Sequence, residues 1–478
     1  MGTACVKITP SASMKMINIC FPTGLATFAF FGGGDEVHIL SCFVSSSYRY
    51  TLNIMDVIIK NGRVIDPGNQ IDDILDVALK DGKIFDVGRN LKLDSKSSYD
   101  ATGLIVTPGL IDAHVHCYQY ATPLGINPDE ACLSRGVTTI IDAGSSGATT
   151  FLGLRKFIID QSNTRVRCLL HIAMHGLAAA GCAGGAPVGE SDTLAILDED
   201  ACVECVGANR DVIVGVKVRL QSSVCDKGRL EQEAYSNGYF CFICTNRRAL
   251  SASKRCGLSL MVHHSNSTVP TQTTSTSALG CPKDLRTGDI YTHTYHGFES
   301  TILDSKTKTI HSDVIDARSR GVLFDCGHGV GAFNWTVAEM ATKQNFWPDL
   351  LGSDLHTENQ EGPAYDLPMI MTKFLYLGMP LNEIIKSVTS SPARAFRLNS
   401  IGSLSKENDA DVSILRIDDC DVSIEDCIGQ MRHVKKRIVP VAIWRGGKEH
   451  PVVIAGFGSK PVTTQISLGN LEKALIKD

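Results

Sequence analysis

From Asp56 onward the chain carries short runs of β-branched and other apolar residues that are separated by turn-forming pairs. Three of these runs are DVIIKNGRVIDP, DVALKDGKIFDVG and SYDATGLIVTPG, and their turns are Asn-Gly, Asp-Gly and Pro-Gly. Short strands joined by such turns are typical of β-hairpins. The pattern therefore predicts a small antiparallel sheet in this part of the chain.

After Pro108 the pattern changes to apolar runs that alternate with helix-compatible stretches such as Asp313 to Arg320. Each run closes on polar or histidine-bearing residues: VTTIIDAG, VRCLLHIAMHG, VIVGVKVRL, LSLMVHH, DIYTHTYHG, GVLFDCGHG and LLGSDLHT. Alternating strands and helices favour a parallel α/β architecture. Polar residues at the carboxyl ends of successive strands are typical of the active site of a (β/α)8 TIM barrel.

The two ends of this patterned region differ from each other. Two further β segments, DADVSILRID and RIVPVAIWRGGK, follow the helix that includes SSPARAF, and we expect them to complete the first sheet. Residues 1-53, in contrast, show no clear periodicity and match nothing that follows. We expect a poorly defined N-terminal extension there.

One stretch interrupts the alternation just before LSLMVHH. LEQEAY and RRALSASKRCGL together have the pattern of one amphipathic helix, and SNGYFCFICTN stands between them. Joining Tyr235 to Arg247 restores the helix, whereas the insert at about 236-246 does not extend it. We therefore expect this aromatic and cysteine-rich insert to be a surface loop that is foreign to the core fold.

Composition argues against several classes of protein. The net charge is −5 and no long run of one sign occurs, which disfavours a nucleic-acid binder. The 17 cysteines are scattered through the chain, so we expect reduced thiols. The uncharged stretch 17-34 contains Pro22 and ends in glycines, which disfavours a membrane-spanning helix. We expect a cytoplasmic protein with a small-molecule substrate and no nucleic-acid or membrane partner. The sequence is compatible with a homo-oligomer.

The candidate chemistry begins with His114 and His116 in TPGLIDAHVHC. In a strand, residues two apart point to the same side, so both imidazoles can reach a single metal ion. An H-x-H pair on its own is a weak signal, because two incidental polar residues give the same pattern more often. The preceding TPGLIDA makes the pair far more specific for metal binding.

Lys217 in VGVKVRL lies within a run of valines that we expect to be buried. A desolvated lysine has a lowered pKa and favours the neutral amine. Such an amine can take up carbon dioxide, and the resulting carbamate is an anionic oxygen ligand that can bridge two metal ions. The alternative is a strand-end lysine that pairs with a carboxylate.

Later strands add histidines and an aspartate. His263 and His264 are adjacent and point to opposite faces of their strand, so only one of them can face the barrel interior with His293. For each histidine the alternative is a buried side chain bonded to the backbone. Asp354 in LLGSDLHT either caps a helix or serves as general base beside a metal-bound water. His328, between the glycines of FDCGHGVGAF, is a candidate donor to the substrate.

Taken together, GRVIDP, TPGLIDAHVH, GVKVR, LMVHH, YTHTYHG, FDCGHGVGAFNW and GSDLHT resemble the amidohydrolase superfamily. Within it the chain looks most like the amidohydrolase/deacetylase group, which is often described as dihydroorotase-like. The likeness spans residues 55 to 457 and implies a TIM barrel with a small flanking β-sandwich. The predicted domains are the extension over 1-53, the sandwich over 54-108 and 393-457, the barrel over 109-392 and a C-terminal tail over 458-478.

The resemblance also implies a site with two divalent metal ions, usually zinc. The ligands implied by motif position are His114, His116, Lys217, His263, His293 and Asp354. The first two histidines and the aspartate would hold the more buried ion, the last two histidines would hold the second, and a carboxylated Lys217 would bridge them. A bridging hydroxide would attack an acyl carbonyl, with Asp354 as general acid/base. The expected substrate-binding residues are His328 and Arg219.

One departure bears on the substrate. The TDHAP-type segment of dihydropyrimidinases and dihydroorotases is replaced here by GSDLHTE, which argues against a pyrimidine ring. We therefore predict a metal-dependent hydrolase that cleaves an amide or ester acyl bond of a small acylated acid, as a deacetylase does. The alternatives are a cyclic amide hydrolase of the dihydroorotase or allantoinase type and a non-catalytic paralogue. The complete set of ligand types argues against the paralogue.

Overall fold

The computed structural model describes residues 54–178, 189–231, 234, 248–273 and 280–454, together with the backbone of four strands between residues 6 and 44. The insert predicted at 236-246 and the tail predicted at 458-478 lie outside these residues. The chain divides into two units, Met1–Ile54 and Met55–Asp478. The exact domain boundaries given above stay a prediction.

The first unit contains a four-stranded antiparallel sheet. Its strands pair in chain order, each with the next: β1 (Val6–Ser11), β2 (Met14–Phe21), β3 (Gly24–Gly32) and β4 (Val37–Val44). The sequence pattern predicts no regular structure here because these runs lack a steady alternation of apolar and polar residues. The backbone nevertheless forms antiparallel strand pairs, since short runs rich in β-branched and aromatic residues are also a strand signal.

The second unit contains a mixed sheet. Its strands come from the beginning and from the end of this part of the sequence. The hairpin turn between β6 and β7 consists of Asp81 and Gly82, both at positive φ, as a two-residue turn requires. Val412 in a late strand pairs with Pro108, so the predicted completion of the first sheet is confirmed. The strands are β5 (Met55–Asp66), β6 (Ile71–Lys80), β7 (Lys83–Gly88), β8 (Ser95–Asp100), β9 (Ile105–Pro108), β17 (Val412–Glu425), β18 (Met431–Arg445) and β19 (Lys448–His450).

Seven parallel strands form the barrel sheet in chain order. They are β10 (Leu110–Val115), β11 (Val137–Gly147), β12 (Arg165–His171), β13 (Ile213–Leu220), β14 (Ser259–His264), β15 (Ile290–Thr292) and β16 (Leu323–Asp325). Residues 350–355 take the eighth position, because Leu350 bridges to Asp325 and Leu355 bridges to Val115, both in parallel. The predicted (β/α)8 barrel with a flanking β domain is confirmed.

Helices connect the barrel strands. One of them, α6, covers Ser312–Ser319, where the sequence predicts a helix from Asp313 to Arg320. In the part of the chain that the structure describes, no helix has both the length and the apolar character to cross a membrane. The helices are α1 (Pro128–Ala131), α2 (Phe151–Leu154), α3 (Glu199–Ala208), α4 (Arg248–Cys256), α5 (Cys281–Asp284), α6 (Ser312–Ser319), α7 (Trp335–Lys343), α8 (Leu367–Tyr376), α9 (Leu381–Ser387) and α10 (Ser390–Ala395).

Candidate metal centre

Two histidines and an aspartate converge where β10 meets the segment that closes the barrel. Nε2 of His114 lies 3.4 Å from Oδ1 of Asp354, and Nε2 of His116 lies 3.2 Å from the same oxygen. All three residues are buried. Among the described residues, these three form the group of histidine, cysteine and acidic side chains that can share one metal ion.

The outer ring nitrogens of the two histidines are held by partners. Nδ1 of His114 lies 3.1 Å from Oδ2 of Asp325, which accepts its hydrogen, and Nδ1 of His116 lies 3.0 Å from Oγ of Ser145. With Nδ1 protonated, Nε2 of His114 presents a lone pair to the carboxylate of Asp354. Acceptors at such distances repel each other unless a cation lies among them. A carboxylate behind a histidine is the usual support of a metal ligand.

His263 on β14 and His293, which directly follows β15, face the same space. Their ring centroids are 3.9 Å apart, and the rings of His293 and His114 are 5.2 Å apart. His264 points to the other face of β14, where its ring nitrogens bond to Tyr291 and to the carbonyl of Val269, each at 2.8 Å. The structure therefore places His263, and not His264, beside His293.

The ring of His293 offers a second lone pair to this space. Nδ1 donates to the carbonyl oxygen of Gly327 at 2.6 Å, which leaves Nε2 unprotonated. Nε2 is buried and has no hydrogen-bond partner among the described residues. Burial lowers the pKa of His293 to about 3, so the imidazole is neutral. A neutral, orphaned and buried imidazole nitrogen is what a divalent ion requires of a ligand.

Lys217 lies between the two groups of histidines. Its Nζ is 3.2 Å from Nε2 of His114 and 3.4 Å from the sulfur of Met261. The side chain is fully buried, and burial lowers its pKa to about 8. Gly144 makes room for it, because a Cβ there would lie 2.7 Å from Cβ of Lys217. Neither neighbour of the Nζ atom is an oxygen, so the amine is poorly solvated by the protein.

A second buried lysine shows the contrast. Nζ of Lys373 donates to the carbonyl oxygens of Glu425 at 2.6 Å and Pro363 at 3.0 Å, and it lies 2.7 Å from Nε2 of His328. Burial lowers the pKa of Lys373 to about 8 as well. Three acceptors therefore occupy the three N–H groups of this ammonium, whereas Lys217 has a ring nitrogen and a thioether beside it. Both lysines are buried, but their amino groups have different neighbours.

Asp354 is held in an uncommon backbone conformation. Its φ is 49°, and its N–H donates to the carbonyl of His114 at 2.7 Å. Burial alone would raise its pKa, but His114 and His116 hold the pKa of this carboxyl well below its usual range. The other carboxylate oxygen, Oδ2, faces Gly329, where an added Cβ would come within 2.5 Å. The carboxylate therefore contacts the histidines through one oxygen and the open side of Gly329 through the other.

The two predicted substrate contacts have different surroundings. Nε of Arg219 lies 3.2 Å from Oε1 of Glu190, and both side chains are buried. His328 is also buried, and its ring nitrogens are engaged by Lys373 and by the carbonyl of Gly329, the latter at 2.9 Å. A contact between His328 and a substrate would require one of these bonds to break. Both ring nitrogens of His328 thus have partners in the structure, and its contact with a substrate stays a prediction.

Sequence reasoning missed residues that support the centre from a distance. Asp325 and Lys373 act through histidines of other segments, and no local pattern reveals such pairs. Glu190 follows a stretch without clear periodicity. His171, which closes β12, had a visible signal, since it ends the run VRCLLH in the same way as His263 and His264 end theirs.

Comparison with known proteins shows which proteins this chain is similar to. No family model matches the chain. A deacetylase of Enterococcus faecalis is 31% identical over 350 residues, which make up 72% of this chain and 86% of that protein. A deacetylase of Brucella anthropi is 29% identical over 354 residues, which make up 71% of this chain and 78% of that protein.

Solved structures resemble most of the chain. A crystal structure of an adenine deaminase is 29% identical, with a TM-score of 0.72, and the match covers 83% of this chain and 100% of that one. A crystal structure of a dihydroorotase is 26% identical, with a TM-score of 0.71, and the match covers 84% and 100%.

A TIM barrel with histidines, a buried lysine and an aspartate at the carboxyl ends of its strands defines the class of barrel hydrolases that act on carbon–nitrogen bonds. The similarity to the deacetylases then fixes the family. The chain belongs to the amidohydrolase superfamily, as its motifs predict, and it is a hydrolytic enzyme of that superfamily.

Proposed function

We propose that this protein is a metal-dependent deacetylase that hydrolyses the amide or ester bond of a small acylated acid. The observation that carries the proposal is the convergence of Nε2 of His114 and Nε2 of His116 on the carboxylate of Asp354, with Lys217 beside them. Such a cluster of buried acceptors fits a cation. The extent of the likeness to the two deacetylases supports the choice of reaction.

The donor set fits two divalent ions, which we propose to be zinc. His114, His116 and Asp354 would hold one ion, and His263 and His293 would hold the other. Imidazole nitrogens and a carboxylate are ligands that zinc prefers. When bound, the ions would supply a water of lowered pKa and polarise the substrate carbonyl.

We propose that Lys217 carries a carboxylate on its Nζ and bridges the ions. Carbon dioxide adds to the neutral amine, an N–C bond forms, and one proton leaves. The proposal is supported by the burial of the amine, by its lowered pKa, and by its two hydrogen-bonding neighbours among the described residues, which are a ring nitrogen and a sulfur rather than oxygens. Lys373 is the internal comparison, because its three acceptors already satisfy its ammonium form.

Asp354 is the residue that we propose to move the proton. Its low pKa keeps it ionised, so it can accept a proton from the attacking water. It then returns this proton to the nitrogen or oxygen of the departing group. The oxygen beside Gly329 is the one with room for this exchange, because no side chain covers it from that position.

Arg219 is proposed to bind the acidic group of the substrate. It lies near the end of β13, two residues after Lys217, so both side chains point to the same side of the strand. Glu190 holds its guanidinium in place. An ion pair of this kind aligns the donor before the substrate arrives.

Cyclic amide hydrolysis is the weaker candidate. The dihydroorotase similarity among curated relatives is high but short, for example 50% identity over 62 residues of the Solibacter usitatus protein, or 13% of this chain. The deacetylase similarity extends over 71% to 72% of the chain. A short shared segment fits a common metal motif rather than a common substrate.

A substrate screen tests the proposal. The metal-loaded protein would be given N-acetyl amino acids of both hands, O-acetyl hydroxy acids and dihydroorotate. We expect release of acetate from one of the acetylated compounds and no turnover of dihydroorotate. Opening of dihydroorotate with no acetate release would replace the deacetylase proposal by the cyclic amide alternative.

A further inference from the structure

His171 closes strand β12 next to the strand that carries Lys217. The two residues are partners in the parallel register, and parallel partners project to the same side of a sheet. The imidazole is 1% exposed. Its role is assigned by none of the motifs described above.

The hydrogen bonds of His171 fix a tautomer opposite to that of the proposed metal ligands. The backbone N–H of Ala173 donates to Nδ1 of His171 at 3.0 Å, so Nδ1 is unprotonated and the ring hydrogen is on Nε2. In His293 the reverse holds, because Nδ1 donates to a carbonyl and Nε2 keeps the lone pair. His171 is therefore built as a donor toward the site, and not as a ligand.

This donor has no acceptor in the part of the chain that the structure describes. Nε2 of His171 is buried and has no hydrogen-bond partner among the described residues. Buried N–H groups are rarely left without an acceptor, because desolvation without a hydrogen bond costs free energy. An orphaned donor at the mouth of a barrel thus indicates an oxygen that arrives with a ligand.

The surroundings of His171 place that oxygen at the reacting centre. A Cβ at Gly144 would lie 2.8 Å from Cγ of Lys217 and 3.4 Å from Cδ2 of His171, so the lysine and the Cδ2 side of the ring both approach this glycine. The charged or titratable groups that act on His171 include Arg219, Lys217 and His116. The ring therefore lies near Lys217 and within electrostatic reach of the proposed substrate-binding arginine.

We propose that His171 is a catalytic residue that donates its Nε2 hydrogen to the carbonyl oxygen of the scissile acyl group. The proposal rests on the proposed hydrolase function. As the water oxygen bonds to the acyl carbon, the π electrons of the carbonyl move onto its oxygen, and the N–H of His171 stabilises that charge. The electrons return when the bond to the leaving nitrogen or oxygen breaks, and the proton stays on His171. Neutral imidazoles polarise carbonyls in this way in other enzymes.

Two substitutions separate this donor role from a structural one. In His171→Asn the side-chain oxygen can still accept from Ala173, but nothing reaches the place of Nε2. In His171→Gln the amide nitrogen can reach that place and donate. His296→Asn is the matched control, because Nδ1 of His296 likewise accepts a backbone N–H, from Phe298 at 3.2 Å, and its Nε2 is buried without a partner among the described residues.

The measurements are kcat and KM for an acetylated substrate, zinc content, melting temperature, and the affinities for methylphosphonate and acetate by calorimetry. Methylphosphonate has the tetrahedral shape of the attacked acetyl group, whereas acetate is planar. We expect His171→Asn to lower kcat by about 10²- to 10³-fold with little change in KM. Methylphosphonate affinity should fall with kcat, while acetate affinity and zinc content stay unchanged. His171→Gln should restore part of both losses.

The His296→Asn control separates a loss of stability from a loss of catalysis. His296→Asn should lower the melting temperature about as much as His171→Asn and keep kcat within about twofold of the wild type. Normal kcat and normal methylphosphonate affinity in His171→Asn would overturn the proposal, as would a loss of zinc that parallels the loss of kcat. A wild-type protein that is inactive and does not bind methylphosphonate would instead overturn the proposed function.

Discussion

Oδ2 of Asp325 lies 3.1 Å from Nδ1 of His114, and this contact determines which ring nitrogen faces the metal centre. The other carboxylate oxygen accepts from the N–H of Gly352 at 2.7 Å, so Asp325 also ties β16 to the segment that precedes Asp354. The carboxylate of Asp325 thus orients the ring of one proposed ligand, His114. It also positions the backbone that leads to a second proposed ligand, Asp354.

Asp325→Asn tests this relationship. An amide in place of Oδ2 would donate to Nδ1 of His114 and move the ring hydrogen to Nε2, which would remove the lone pair. We expect the affinity for zinc to fall about 10- to 100-fold, measured by competition with a chromophoric chelator. Asp366→Asn is the control, because Asp366 is also buried but caps helix α8 through the N–H of Met369 at 2.8 Å. Equal zinc affinities in the two variants would contradict the role of Asp325.

Asp354→Asn tests the proton-transfer role. The amide keeps the size of the carboxylate but cannot accept a proton, so we expect kcat to fall by about 10²- to 10⁴-fold. Elemental analysis should show that most of the zinc is retained, because the histidines remain. Turnover near that of the wild type would show that Asp354 is not the general base.

Gly329→Ala tests the open side of Asp354. The new Cβ would lie 2.5 Å from Oδ2, and the φ of 57° adds backbone strain. We expect kcat to fall by about 10- to 100-fold, since small displacements of a catalytic group are costly. Gly331→Ala is the matched control in the same loop, because an added Cβ there has nothing within 4 Å. Equal kcat values for the two alanine variants would show that the oxygen beside Gly329 is not used.

Lys217 and Lys373 have similarly lowered pKa values, but we expect only Lys217 to form a carbamate. With ¹³C-labelled bicarbonate, a carbamate carbon signal should appear in the NMR spectrum of the wild type, disappear in Lys217→Ala and persist in Lys373→Met. Lys373→Met should lower the free energy of unfolding by about 1 to 3 kcal/mol, because its acceptors lose their donor. A carbamate signal that survives Lys217→Ala would contradict the proposed bridging ligand.

The free energy of unfolding should depend on pH through the titration of Asp366. Burial raises its pKa to about 6, well above the value of 3.8 for an unhindered aspartate. Between these two pH values the folded chain keeps a proton that the unfolded chain releases, so this group's contribution to stability falls as the pH rises. Relative to Asp366→Asn, the wild type should lose up to about 3 kcal/mol between pH 4 and pH 6 and little above. Chemical denaturation at several pH values measures this, and parallel curves would contradict it.

The sequence predicts the fold and the ligand-bearing strands well, because both depend on local periodicity. Alternation identifies the hairpins after Asp56, and the polar ends of the apolar runs identify the barrel. The argument from strand faces leaves His263 and His264 as alternatives, and the motif match favours His263. The structure then places His263 against His293.

The rest depends on contacts between segments that are far apart in the chain. Asp325 meets His114 across 211 positions, and Lys373 meets His328 across 45. The sequence shows that His328 lies between glycines, but it does not show that the buried ammonium of Lys373 bonds to a nitrogen of its ring. The tautomer of His171 follows from one backbone N–H, whose direction only the folded loop determines.

Zinc content and chelator sensitivity, measured together on the purified full chain, test the central claim most directly. We predict about two zinc ions per chain, acetate release from an acetylated acid, loss of that activity when a chelator removes the metal, and its return when zinc is restored. A chain that holds well under one zinc ion, or that releases acetate at the same rate after the metal is removed, would contradict the account.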